Sequence, residues 1–139
     1  MEATRMVVDT SVFIDHLRAK HKARTILSCI PNETEIFISS VTIYELLLGA
    51  TNAEKWNDVE LITQGLPILT FTGNVAKRAA QIFHELKKEN SLIEFRDIFI
   101  AATALIYRLP ILTINTKHFK RVKGVQVVEI AKLKILKER

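Results

Sequence analysis

The chain has 139 residues, 48% apolar and 25% charged, the proportions of one globular domain and not of a disordered or fibrous polymer. A formal charge of +5 biases it towards anionic partners such as nucleic acid, and the single Cys29 excludes a disulfide framework or a multi-cysteine metal site. No apolar run approaches the roughly 20 residues that cross a bilayer, and the N-terminus lacks a signal-peptide pattern. The expectation is a soluble cytoplasmic protein whose residues 1–139 form one domain.

In chain order, Met6-Val7-Val8 reads as a buried strand, and a helix starts near Ser11 with Asp9, Thr10 or Ser11 as its cap. Residues 22–29 predict a second short helix, stopped by Pro31-Asn32. A strand over 35–39 leads into a helix over 41–48, capped by Ser39 or Ser40 and closed by Gly49. A polar helix over 53–64 precedes a strand over 67–71, and residues 74–89 carry helical spacing through Val75, Ala79, Ile82 and Leu86. The helix over 94–107 is the most apolar. Strands over 110–114 and 125–128 follow, then a basic tail from Ala131 compatible with a helix. Strands alternating with helices predict a mostly parallel central sheet covered on both faces, a three-layer α/β/α sandwich. In such sheets the binding crevice lies at the carboxyl ends of the strands.

Four positions there carry candidate chemistry. Asp9 ends the first strand; taken alone it reads as a helix cap or an Asx turn. Asn115 ends the strand Leu112-Thr113-Ile114-Asn115 and reads alone as a cap for the turn that follows. Glu45 shares a helical face with Val41 and Leu48, so its carboxylate is expected to be partly desolvated unless it snorkels to water or meets a lysine. Asp97 lies in a long apolar helix, with Ile93, Ile100, Ala101 and Ala104 on its side. A bond to Arg96 is disfavoured there, because adjacent helical residues point about 100° apart. Clustered carboxylates repel unless a cation neutralises them. An oxygen-only set suits a hard cation such as Mg²⁺ or Mn²⁺, which can activate water and steady phosphate charge.

Val7-Val8-Asp9-Thr10-Ser11-Val12-Phe13-Ile14-Asp15 resembles the first motif of the PIN-domain family, and within it the VapC-type toxins. Tyr44-Glu45-Leu46-Leu47-Leu48-Gly49-Ala50 is similar to the second motif, and Arg96-Asp97-Ile98-Phe99-Ile100-Ala101-Ala102-Thr103-Ala104 to the third. Leu112-Thr113-Ile114-Asn115-Thr116-Lys117-His118-Phe119 resembles the fourth. The resemblance covers nearly the whole chain and implies an α/β/α sandwich and a Mg²⁺- or Mn²⁺-dependent endoribonuclease. It implies Asp9, Glu45 and Asp97 as the acidic core, Asn115 as a further metal ligand, and Thr10, Ser11 and Thr113 as hydroxyls orienting a ligand, water or phosphate. It also implies an RNA substrate, a small co-expressed antitoxin and a homodimer; the short apolar runs point to no membrane partner. The chain departs from the pattern at Asn115, where many relatives carry aspartate, and at His118, where many carry an acid.

His118 reads as a surface or packing residue beside Phe119 or as an RNA contact, and Trp56 and the phenylalanines are expected to pack instead of stacking on bases. Cys29 reads as structural. The basic residues of 18–24 and Lys117, Lys120, Arg121 and Lys123 read as a solvated face or as a rim tracking phosphates. A haloacid-dehalogenase phosphatase would need an Asp at position 11, where Ser11 stands. A receiver-like domain would need paired acids and a late lysine that are not evident. A non-catalytic PIN-like module binding RNA or a protein is the rival that Asn115 keeps open.

Overall fold

Four parallel strands form the sheet in the computed structural model, which describes residues 4–133. They are β1 (Arg5–Val8), β2 (Glu35–Ser39), β3 (Ile68–Leu69) and β4 (Ile111–Leu112), arranged β3-β2-β1-β4. Met6 pairs with Ile36, and Val7 pairs with both Phe37 and Ile111. The helices are α1 (Thr10–Arg18), α2 (Ser40–Leu48), α3 (Ala53–Thr63), α4 (Gly73–Lys88), α5 (Phe95–Tyr107) and α6 (Thr116–Lys120).

Side-chain alternation along β1 explains the layering. Met6 and Val8 enter one core with Val12, Phe13, Leu46 and Val59, beneath α1, α2 and α3. Val7, pointing the other way, enters a second core with Val75, Ala79, Ile82 and Leu86 of α4 and Ile100, Ala101 and Ala104 of α5. Each large side chain so buried contributes about 1.5–3 kcal/mol. The sandwich expected from the alternation of elements is therefore present.

Local chemistry sets the element ends. Ser39 caps α2 by accepting the Thr42 N–H at 3.0 Å, and Asn52 and Thr72 cap α3 and α4 in the same way. Pro110 has no N–H to give, so β4 pairs only after it, and its carbonyl accepts the Val7 N–H.

Three expectations are corrected. Residues 22–29 form not one helix but two 3₁₀ turns, Lys22–Arg24 and Leu27–Cys29. Thr25 separates them: its backbone is extended, and its hydroxyl bonds His16 Nδ1 and the Ser28 N–H, a local net that competes with helix. Residues 125–128 add only a single parallel bridge, Val127 to Ile111, after Gly124 turns the chain at φ +89°. Leu48 does not share an inward face with Glu45; it is exposed, and the buried line of α2 is Thr42 and Leu46. Helix is present over 130–133, and the rest of the basic tail lies outside the described residues. Among the described residues no helix is long and apolar enough to cross a membrane.

Candidate active site

Because all four strands are parallel, β1, β2 and β4 deliver their carboxyl ends to one edge of the sheet. Asp9 follows β1 there, buried, its N–H tied to the Leu112 carbonyl at 2.9 Å. It stands at the N-cap position of α1 but makes no side-chain capping bond. Its Oδ2 instead accepts the hydroxyls of Ser11 (2.8 Å) and Thr113 (2.7 Å). Those hydroxyls accept in turn the N–H groups of Ile114 and Asn115, which directs both protons at Asp9. Burial still pushes the Asp9 carboxyl above its ordinary range, against the Thr113 and Ser11 hydroxyls and the Thr10 and Ser11 backbone N–H groups that pull it down.

Glu45 approaches from α2 with 16% of its side chain exposed. Its Oε1 accepts Thr10 Oγ1 at 2.9 Å. Thr10 Oγ1 is also 2.9 Å from Thr42 Oγ1, and Thr42 Oγ1 accepts the Ser39 hydroxyl at 3.1 Å. Three hydroxyls thus run in series to Glu45. The Arg96 guanidinium stands 3.8 Å from Oε2. Burial raises the Glu45 carboxyl; the bond from Thr10 opposes it, the Asp9 charge adds to it, Arg96 opposes it and Asp97 adds to it.

Asp97 lies in the first turn of α5, its side chain 15% exposed, with His118 Nδ1 3.1 Å from Oδ2. Burial raises this carboxyl too; the hydrogen bond and charge of His118 oppose the shift, while Asp9 and Glu94 add to it. Asn115 is exposed on the rim, at the N-cap of α6 without a capping bond.

A cleft of about 300 Å³ is lined by Asp9, Thr10, Ser11, Glu45, Asp97 and Asn115, and also by Glu94, Arg96 and His118. Thr113 is wholly buried behind Asp9. All the expected site residues are thus brought to one place, with Thr10, Ser11 and Thr113 bonded to carboxylates. Sequence reasoning missed three neighbours. His118 is not merely a packing residue beside Phe119; it faces Asp97. Arg96 reaches Glu45 instead of Asp97, as the divergence of adjacent helical positions allows. Glu94 and His118 each lie three residues from an expected site residue, Asp97 and Asn115, and that i,i+3 spacing was the signal available.

Among the described residues no group of three or more His, Cys, Asp or Glu side chains stands as a ready-made metal cage. The donor chemistry nevertheless suits a hard divalent ion: three carboxylates around one open cleft, all raised by burial, with Glu45 and Asp97 raised further by the charge of Asp9. The PIN-domain family model matches residues 6–125, from β1 to the residue after Gly124. The chain belongs to the PIN-domain family.

This PIN domain is 32% identical over 132 residues to a ribonuclease VapC of Rickettsia bellii, covering 90% of this chain and 96% of that protein. The VapBC-1 structure from nontypeable Haemophilus influenzae matches with a TM-score of 0.76 and 25% identity, over 92% of this chain and 99% of that one. The FitAcB structure from Neisseria gonorrhoeae matches with a TM-score of 0.74 and 30% identity, over 91% and 98%. Within the PIN frame the remaining expected features divide. Cys29 is buried, as a structural cysteine should be. Trp56 is not a packing residue; it is 46% exposed and donates to Glu60. Lys22 serves the fold, holding the His16 and Leu17 carbonyls at the end of α1.

Proposed function

We propose that this PIN domain is a Mg²⁺- or Mn²⁺-dependent endoribonuclease, the toxin half of a cytoplasmic toxin–antitoxin pair. The observation that carries the reading is the convergence of Asp9, Glu45 and Asp97 on one cleft, each carboxyl raised by burial. Ribonuclease VapC relatives support the substrate class, and VapBC structures support a protein partner.

Asp9, Glu45 and Asp97 would hold the ion, with the Asn115 amide oxygen as a neutral fourth donor. A divalent ion so held makes water more acidic and withdraws charge from phosphate oxygens. The chain's own residues do the positioning. Ser11 and Thr113 fix Asp9 through Oδ2, Thr10 fixes Glu45 through Oε1, and His118 fixes Asp97. Exposed basic residues near the cleft, Lys117 and Lys120 on α6, supply a rim for the RNA backbone.

The partner would be a small protein whose arginine or lysine enters the acidic cleft. A groove of about 250 Å³ between α1, α2 and α3, lined by Ile14, Leu17, Leu46 and Val59, meets the cleft at Ile14 and Glu45 and would take apolar residues of the same segment. Exposed Tyr44 and Leu48 on α2 and Phe83 on α4 favour a homodimer through these helices.

The test is cleavage of a generic single-stranded RNA in Mn²⁺. Cleavage should vanish in EDTA and fall at least a hundredfold in Asp9→Asn, Glu45→Gln and Asp97→Asn, while circular dichroism remains native. Undiminished cleavage by Asp97→Asn would remove the metal-site assignment. RNA binding without any cleavage would leave a non-catalytic module.

A further inference from the structure

Arg96 is out of place by ordinary helix rules. It sits in the first turn of α5, where the helix dipole favours anions, yet it carries a permanent positive charge. Its guanidinium is 3.8 Å from Glu45 Oε2, too far for a hydrogen bond, and it makes no hydrogen bond among the described residues. Its Cζ lies 5.5 Å from the ring centroid of Phe95, an exposed aromatic face. Arg96 lines the acidic cleft and also the neighbouring groove of about 290 Å³ formed with Tyr44, Phe95 and Phe99. A five-donor fork is therefore held at the mouth of the cleft by charge and stacking alone, with 42% of its side chain exposed.

We propose that Arg96 is the phosphate-binding residue of the substrate cleft, kept on Glu45 as an internal counter-ion until a divalent cation takes that carboxylate. The inference rests on the ribonuclease reading for its substrate. Its physical content is a competition: one carboxylate, Glu45, is shared between a side-chain cation and a metal ion. When the metal neutralises Glu45, the guanidinium loses its partner and its unused donors turn to the nearest anion, an RNA phosphate. Arg96 then binds substrate and takes no part in proton transfer.

Two effects of opposite sign follow from Arg96→Gln. Calorimetric titration with Mn²⁺ in the absence of RNA should give binding roughly two- to fivefold tighter than wild type, the release expected of a part-exposed ion pair. Steady-state cleavage of a single-stranded RNA in saturating Mn²⁺ should show KM raised roughly tenfold with kcat little changed, as for one lost charge-assisted contact. Arg96→Lys should restore much of the KM and return Mn²⁺ affinity towards wild type. A merely structural arginine would weaken both interactions or neither. The proposal is overturned if Arg96→Gln binds Mn²⁺ no more tightly than wild type, or if its KM is unchanged. The ribonuclease reading fails on a separate result, a wild-type chain that binds Mn²⁺ but cleaves no RNA.

Discussion

His118 Nδ1 stands 3.1 Å from Asp97 Oδ2, so a residue of α6 holds a carboxylate of α5 at the floor of the cleft. With Asp97 ionised the contact needs a proton on Nδ1, and Asp97 keeps Oδ1 for another partner. His118→Ala should leave the fold intact and lower Mn²⁺ affinity or RNA cleavage roughly ten- to hundredfold, the usual cost of losing a group that orients a ligand. Unchanged calorimetry and unchanged cleavage together would reduce His118 to a surface residue.

The buried carboxyls set a pH dependence. Asp9, Glu45 and Asp97 are held above their ordinary values of 3.8, 4.5 and 3.8. Above those values the folded chain therefore keeps protons that the unfolded chain has lost, and stability falls as pH rises through the raised pKa values. In EDTA, Asp9→Asn should melt above wild type at pH 7.5, and the difference should shrink as pH approaches 4. A difference that grows on acidification would reverse the assigned sign.

Asn115 brings a neutral oxygen to the rim where a carboxylate would add charge. The wild-type chain should bind one Mn²⁺ tightly and a second weakly. Asn115→Asp should strengthen the second event by roughly tenfold, the effect of adding a hard anionic ligand. Two equally tight sites in wild-type calorimetry would contradict this.

An inhibitor that seats an arginine among the acids should depend on their charge. The double variant Asp9→Asn, Asp97→Asn should bind its partner protein roughly a hundredfold more weakly, chiefly through faster dissociation. Surface plasmon resonance showing wild-type affinity would exclude the cation plug while leaving the nuclease reading intact.

Much of this arrangement was legible in the residues. Asp9 and Thr113 could be placed because parallel strands deliver their ends to one edge. The strand over 35–39 and its Ser39 cap are local matters of alternation and a hydroxyl before a helix. What escaped depends on contacts between distant elements. Arg96 chooses Glu45 only because α5 lies against α2 at that point, which periodicity along either helix does not specify. The break at Thr25 arises from a histidine nine positions earlier on another element. Leu48 looked inward because a short helix whose apolar residues lie on every side has no strong preferred face.

The hydroxyl series ending on Glu45 has a direction. Each hydroxyl owns one proton, so Thr10 giving its own to Glu45 obliges Thr42 to point at Thr10, as Ser39 points at Thr42. Ser39 in turn accepts the Thr42 N–H that starts α2. The helix cap and the carboxylate in the cleft are therefore opposite terminals of one polarised wire. Ser39→Ala would cut it at the end remote from the cleft, and in a double-mutant cycle with Glu45→Gln the two losses should not add. Wherever this wire is kept, the start of α2 and the charge of Glu45 change together, so neither can be tuned without retuning the other.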